Sequence, residues 1–219
     1  MRSILMALVL AATVAATAFA GAAQPASPAM PFKSGTVWTY RLLKTVPGGT
    51  RTVETRTMSY TGMATYRGQK YHVFETRDSL GKGIERDMAL WTGSTFRHAA
   101  SIVMQGGTTV EIVFDKPYAT TGATEALAGR TEIYQNGDLS GRGGWSNVVS
   151  RGKAAKITVP AGTFNTTRWE GTLILGNLKQ VYTMYAVGPV EVRVDMEVFN
   201  KGVRQASIVI ELTKGPLGK

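Results

Sequence analysis

The sequence contains no cysteine and only two histidines in 219 residues. The absence of cysteine excludes disulfides, thiolate metal ligands, a cysteine nucleophile and a lipid anchor on cysteine. The histidines, His72 and His98, are not arranged in an HExxH pattern, and we interpret both as packed or surface side chains. Charged residues make up 18% of the chain and hydrophobic residues 43%, a globular composition that excludes wholesale disorder.

A long apolar run occurs only at the start of the chain. Met1-Arg2-Ser3 is a short basic segment, residues 4–19 are apolar or small, and Ala18-Phe19-Ala20 has the small-x-small pattern of a cleavage site. This order predicts a secretory signal peptide over residues 1–20, with a membrane anchor as the alternative. No later stretch approaches the roughly 18 apolar residues of a helical span, so we expect no transmembrane helix after cleavage.

The remaining chain divides into three segments. Residues 21–30 are rich in Ala, Pro and Gln and predict a flexible leader. A single β domain is predicted over residues 31–213, and a polar C-terminal tail over residues 214–219. An exported chain without cysteine favours the periplasm, because secreted eukaryotic domains more often carry disulfides. The outer membrane and the extracellular medium are the alternatives.

Threonine, β-branched and aromatic residues between regularly spaced turns predict an all-β domain. Turn signals near residues 81, 93 and 106, and again near 176, 188 and 201, are 12 or 13 residues apart. This spacing predicts strands of about eight to ten residues joined by short turns. Such long strands in a meander usually curl, so we predict an antiparallel curved sheet forming a barrel or half-barrel. One short helix is predicted over residues 120–128. The predicted tight turns are Gly48-Gly49, Gly106-Gly107, Asn136-Gly137 and Gly176-Asn177.

Period-two alternation identifies the clearest strand, Val190 to Val198. Its even-numbered apolar residues are predicted to face the core, and Glu191, Arg193, Asp195 and Glu197 the solvent. The same alternation predicts core-facing side chains in three other strands: Trp38, Tyr40, Leu42, Val110, Ile112, Phe114, Ala206, Ile208, Ile210 and Leu212.

Three segments carry a resemblance to known proteins: Gly35-Thr-Val-Trp38, Thr158-Val-Pro-Ala-Gly-Thr-Phe164 and Tyr185-Ala-Val-Gly-Pro-Val190. Together they resemble exported bacterial domain-of-unknown-function proteins, which are antiparallel barrels or half-barrels loosely similar to the periplasmic lipoprotein carriers. The resemblance implies the fold and an envelope location, and no catalytic residue. Physically, these are turn motifs, since Pro160 suits a strand end and Gly162 permits a left-handed backbone.

Four carboxylates cluster around the predicted turn near residue 81: Glu75, Asp78, Glu85 and Asp87. If residues 70–78 and 84–91 form a hairpin, these groups could approach one another as in a paired-carboxylate hydrolase. Cross-strand charge pairing is the simpler interpretation, because basic residues are interleaved with them, namely Arg77, Lys82 and Arg86. The sequence predicts no catalytic residue, no metal site and no cofactor. We therefore expect a protein that is not an enzyme, and the alternative is a hydrolase.

The formal net charge of +10 is the largest global feature of the sequence. Lysine and arginine are spread along the chain with no run of three, which argues against a nucleic-acid partner. An anionic surface of the cell envelope is the more plausible partner.

Aromatic side chains inside a barrel fill the core or line a ligand cavity, and both alternatives stay open here. The function predicted is non-catalytic binding of a lipid or another apolar or amphiphilic ligand. The alternatives are a small outer-membrane β-barrel, and a scaffold or assembly factor that pairs through a strand edge. The predicted pocket residues are Trp38, Tyr40, Trp91, Trp145, Phe164 and Trp169.

Overall fold

A computed structural model describes residues 30–215 of the chain. The predicted signal peptide, residues 21–29 of the predicted leader and residues 216–219 of the predicted tail lie outside this range. The described part of the chain consists of β-strands, turns and loops. Within it, no helix has the length and hydropathy needed to cross a membrane.

The strands of residues 30–215 are long and follow one another through short connections. The predicted turns each lie between two successive strands, and the first strand begins seven residues after Met30. In chain order the strands are β1 (Val37–Thr45), β2 (Arg51–Tyr66), β3 (Gln69–Arg77), β4 (Gly83–Trp91), β5 (Phe96–Gln105), β6 (Thr108–Tyr118), β7 (Glu125–Gln135), β8 (Asp138–Arg151), β9 (Ala155–Val159), β10 (Gly162–Leu175), β11 (Leu178–Val187), β12 (Val190–Asn200) and β13 (Val203–Lys214).

Twelve of these strands form a closed antiparallel barrel. Neighbours in sequence are neighbours in the ring, and the ring closes because β13 pairs with β1. The thirteenth strand, β9, is not part of the ring and, among the described strands, pairs only with the first residues of β10. In the wall, β8 is therefore followed by β10, which pairs with β8 on one side and β11 on the other. The prediction of an all-β antiparallel barrel with meander connections is confirmed.

One end of the barrel is covered by chain segments, and we call it the cap end. After residues 152–154, β9 pairs with the first residues of β10 and contacts β12 and β13. The Ala161 amide donates a hydrogen bond to the Leu212 carbonyl at 3.1 Å. Phe32 places its ring 4.8 Å from that of Trp38, edge to face. The opposite end, which carries the β1–β2, β3–β4 and β5–β6 turns, is called the groove end.

Alternate side chains of every wall strand point into the barrel and form its core. The side chains predicted to face the core from β1, β6, β12 and β13 are all buried. Glu191 is the exception among the predicted solvent-facing residues of β12. A bulge opposite Tyr185 and Ala186 pairs Ala186 with Glu191 and Tyr185 with Arg193. The extra residue turns Glu191 inward, so its predicted solvent position is wrong.

The predicted helix over residues 120–128 is also wrong. Residues 119–124 form a loop, and β7 begins at Glu125. Gly122 has a φ of +80° and lies so close to Thr95 that a Cβ atom there would be 1.9 Å from its Oγ1. Glu125 accepts a hydrogen bond from the Ala119 amide and pairs with Arg97. These tertiary contacts outweigh a weak helical preference.

The tip of the β2–β3 hairpin reaches across the outside of the barrel. Gly62, with a φ of +108°, lies at a bulge in β2, and we call residues 62–71 the arm. At its tip, Tyr66 and Arg67 contact Glu111 of β6, beyond β4 and β5. A second apolar cluster lies outside the barrel and includes Tyr71 at the base of the arm. Its buried members are Tyr71, Val73, Met88, Ala99 and Ala100.

Candidate functional site

The six predicted pocket residues do not form one pocket. Trp91 packs 4.7 Å from Phe96, and Trp145 donates its indole hydrogen to Asp115 at 3.0 Å. Trp169 lies beneath the guanidinium of Arg151, and Phe164 is half-buried on β10 near the cap end. Trp38 and Tyr40 line a small space of about 10 Å³. Most of the predicted residues therefore serve as core in this structure.

A small apolar cavity of about 30 Å³ lies beside the groove, lined by residues of β1, β2, β3, β12 and β13. The Tyr40 hydroxyl beside it donates to the Glu191 carbonyl oxygen at 3.3 Å. The cavity has the size of about one or two water molecules. It is lined by Tyr40, Leu42, Arg56, Met58, Thr76, Glu191 and Ile210.

A larger groove of about 320 Å³ opens at the groove end, between β2, the β3–β4 turn and β5. This volume is at the lower end of the range of about 300–1,000 Å³ found for small-molecule sites. Arg56 borders both the groove and the inner cavity, and its guanidinium donates to Glu54 Oε2 at 2.8 and 3.2 Å. The groove is lined by Glu54, Thr55, Arg56, Asp78, Ser79, Ile84, Glu85, Val103, Met104 and Gln105.

Three buried carboxylates lie inside the barrel, and we call them the carboxylate chamber: Glu85, which also lines the groove, Asp87 and Glu191. Glu85 is 2% exposed and accepts a hydrogen bond from the Ser101 hydroxyl at 3.0 Å. Burial, and then the charge of Asp87, raise the pKa of Glu85 well above its usual value. Burial raises the pKa of Asp87 to about 7. Burial and the charge of Asp87 also raise the pKa of Glu191, across the barrel on β12.

Asp87 has an incomplete set of hydrogen bonds. It is 1% exposed, and its Oδ1 accepts no hydrogen bond from the residues that the structure describes. The nearest basic group is the imidazole of His98, whose Nδ1 lies 3.8 Å from that oxygen. No group of three or more His, Asp or Glu side chains within residues 30–215 is placed to hold a metal ion.

The carboxylate cluster of the sequence divides into two sets. The hairpin of β3 and β4 forms as expected. Glu75 faces outward, 2.7 Å from Arg77 on its own strand and 3.6 Å from Arg86, its cross-strand partner on β4. Asp78 accepts two backbone hydrogen bonds within its turn. Glu85 and Asp87 point inward, so charge pairing does not describe them.

The carboxylate chamber was not identified as a unit by sequence reasoning. Glu85 and Asp87 alternate in phase with Ala89 and Trp91, which predicts that they face the core. The outer face of β4 is equally apolar in sequence, since it carries Met88 and Leu90. In the structure these two side chains pack in the second apolar cluster, outside the barrel. The alternation alone therefore leaves the inward face of β4 undecided.

Comparison with known proteins identifies the fold. Neither a family model nor a curated protein matches the sequence. Two solved structures match: a candidate lipoprotein from Parabacteroides distasonis and a candidate exported protein with a YmcC-like fold from Bacteroides fragilis. The TM-score is 0.50 and the identity 15% for both. The chain has the YmcC-like barrel fold.

This match extends over nearly the whole of both solved structures. The alignments cover 87% and 86% of this chain and 99% of each matched chain. The resemblance to exported barrel proteins that the turn motifs predict is confirmed. At this identity the match concerns the YmcC-like fold alone, so the chemistry of the groove has to be argued from its own residues.

Proposed function

We propose that the protein is a non-catalytic binding protein of the cell envelope that holds an amphiphilic ligand in the groove. The observation that carries this proposal is the groove itself, whose lining combines polar and charged residues with the apolar residues Ile84, Val103 and Met104. Arg56 borders both the groove and the apolar inner cavity. An amphiphile has matching polar and apolar parts.

An envelope location is supported by two independent features. The chain begins with a predicted signal peptide, and the two proteins that share its fold are named as a lipoprotein and an exported protein. We propose the periplasm as its compartment, because an exported chain without cysteine is less typical of secreted eukaryotic domains, which more often carry disulfides.

The distribution of side chains favours this proposal over an outer-membrane barrel. Membrane barrels carry an apolar band outside and polar groups inside. Here the barrel interior is mostly apolar, and charged side chains form a network on the outer faces of β1, β12 and β13. Arg41 contacts Glu211 at 2.5 Å, and Arg193 contacts Glu211 at 3.2 Å and Asp195 at 2.7 Å.

Native mass spectrometry on protein purified without detergent tests the proposal. We expect a bound amphiphile, identified after solvent extraction, and a lower bound fraction in Ser79→Trp, which places a large side chain in the groove. Leu80→Trp is the matched control, because Leu80 lies in the same turn, is 91% exposed and does not line the groove. A ligand-free mass after reconstitution with lipid extract, or equal binding by both variants, would contradict the proposal.

A second candidate function is pairing with a partner strand through β9. Closure of the barrel gives each wall strand two neighbours, whereas β9 pairs with β10 alone among the described strands. A five-residue edge strand can accept an added strand. Replacing Thr158 with proline would block such pairing, and a partner complex that survives this change would exclude β9 as its site.

A further inference from the structure

We infer that the cap end is a docking surface for the anionic head groups of a membrane, and that Arg151, Lys153 and Lys156 are its main contacts. This surface lies at the opposite end of the barrel from the groove, so the inference goes beyond the proposed function and does not depend on it. Three observations carry it: free positive charges, the contacts that bring them together, and the place where the N-terminal segment joins the barrel.

The cap end carries five exposed basic side chains without an acidic partner. Within residues 30–215, none of the five forms an ion pair. They are Lys33, Arg151, Lys153, Lys156 and Lys214. The segments outside the strands at this end contain two of these lysines and no aspartate or glutamate: residues 30–36, 92–95, 119–124, 152–154, 160–161 and 188–189.

The wall carboxylates near the cap end do not cancel these charges. Glu125, Glu170 and Glu211 each pair with an arginine. Asp115 of β6 is followed directly by the exposed Lys116, and the carboxylate chamber faces the barrel interior. The cap end is therefore positive, and a positive surface attracts anionic head groups.

A hairpin brings four of the five basic residues together. Three of them lie within residues 151–156, at the end of β8 and the start of β9. The turn between β9 and β10 is fixed to the end of β13, because the Ala161 amide donates to the Leu212 carbonyl. Lys214 follows Leu212 on the same strand, so it lies beside this hairpin.

The fifth basic residue comes from the segment that precedes β1. Phe32 packs edge to face on Trp38, and Trp38 also lies against Gly215 at the end of β13. Lys33 and Lys214 are neighbours of these contacting residues in sequence. The basic side chains therefore share one surface rather than being spread around the barrel.

The position of the N-terminal segment favours a membrane as the partner of this surface. Residues 1–29 join the barrel at the cap end, through Met30. The predicted signal peptide, like the membrane anchor that is its alternative, is an apolar segment that enters a membrane. Residues 21–29 can span at most about 30 Å. The cap end is thus the part of the barrel closest to a membrane that holds the apolar segment.

Sedimentation with lipid vesicles tests this inference on protein purified without detergent. Vesicles of phosphatidylglycerol and phosphatidylcholine in equal parts are compared with vesicles of phosphatidylcholine alone. We expect binding to the anionic vesicles only. This binding should be lost when the salt concentration rises from about 0.1 M to about 1 M, because the screening length falls from about 10 Å to about 3 Å.

Two double variants remove the same charge from opposite ends of the barrel. Lys153→Gln with Lys156→Gln should weaken binding to the anionic vesicles by about thirtyfold, since each basic residue at such a surface contributes about fivefold. Lys82→Gln with Lys179→Gln is the matched control, because both lysines are exposed at the groove end. A strand length of about 30 Å separates them from the cap end, so this variant should bind within about twofold of wild type.

The orientation on the membrane can be measured because the sequence contains no cysteine. A fluorescent probe on Ala154→Cys labels the cap end, and the same probe on Leu80→Cys labels the groove end, where Leu80 is 91% exposed. Lipids with a spin-labelled head group should quench the probe at position 154 and leave the probe at position 80 unchanged.

Each contrary result overturns a stated part of the inference. Equal binding to both kinds of vesicle, or equal loss in the two double variants, would overturn the basic docking surface. Quenching at position 80 would overturn the orientation. Binding to heparin, an anionic polysaccharide, without binding to vesicles would overturn the membrane as the partner. None of these results bears on an amphiphile in the groove, which Ser79→Trp tests separately.

Discussion

The carboxylates inside the barrel link single residues to the stability of the fold. An exposed aspartate titrates near pH 4, whereas burial raises the pKa of Asp87 to about 7. Between these values the folded protein retains a proton that the unfolded chain has released. The free energy of unfolding therefore falls as the pH rises through this window. Glu85 and Glu191, whose pKa values are also raised, act in the same direction.

We accordingly expect the urea midpoint to be higher near pH 5 than near pH 8, with a difference in unfolding free energy of a few kcal/mol. Asp87→Asn, which removes one titrating group but keeps its shape, should reduce this dependence, and the remainder belongs to Glu85 and Glu191. Asp78→Asn, in the exposed turn, should leave the dependence as in wild type. A midpoint that rises with pH over this range would show that the chamber does not behave as described.

Single residues also show how far sequence reasoning reaches. The inward positions of Trp38, Ile112 and Leu212 follow from period-two alternation, because each strand has one apolar face. Glu191 does not follow, because the bulge that turns it inward depends on how β12 pairs with β11. The groove residues lie on three segments that are distant in sequence, so their proximity required the closed barrel.

At the scale of elements, the arm is held to the barrel by a small set of contacts. The Arg67 guanidinium lies 2.9 Å from Glu111 and 4.4 Å from the centre of the Tyr134 ring. An ion pair at this exposure contributes about 0.2–1 kcal/mol and a cation–π contact about 0.5–1 kcal/mol. The arm should therefore open more readily than the barrel wall.

We expect Arg67→Ala to increase amide hydrogen exchange in residues 66–71 by about three- to thirtyfold, which corresponds to a loss of roughly 0.7–2 kcal/mol. Exchange in β11 and β12, on the other side of the barrel, should be unchanged. Arg142→Ala is the matched control, because Arg142 pairs with Glu132 near the tip but does not belong to the arm. Equal acceleration across both regions would mean that the arm unfolds only with the barrel.

The elements differ in how well their own sequences predict them. The hairpins are predicted because their turn residues and alternation are local signals. The arm and β9 are not, because each is a normal strand in sequence whose position depends on a distant surface. The loop over residues 119–124 is mispredicted for the same reason, since Thr95 and Arg97 determine its path.

At the scale of the whole molecule, the two ends of the described chain meet. β1 and β13 are antiparallel neighbours, Thr39 pairs with Lys214, and the Thr213 hydroxyl donates to the Thr39 carbonyl at 2.9 Å. Chain termini that lie close together permit circular permutation. We expect a permutant that links Gly215 to Met30 through a short glycine linker, and begins at Gly107, to unfold in one cooperative transition.

Circular dichroism during urea titration would measure this transition. The opening lies in the β5–β6 turn, where Gly106 and Gly107 have positive φ values and no wall contact is lost. As a control, a permutant opened within β12, at Arg193, would interrupt a wall strand and should not fold cooperatively. Two separate transitions in the first permutant would show that the barrel is not one cooperative unit.

The seam between β1 and β13 also determines when the barrel can form. During synthesis the first wall strand emerges early, but its second neighbour is the last strand of the described chain, 174 residues away at the Thr39–Thr213 contact. Until then β1 has one unpaired edge, and the interior is open to water. Contacts between such distant residues slow folding, and unpaired edges favour aggregation. We therefore expect the ring to stay open until β13 is available to pair with β1.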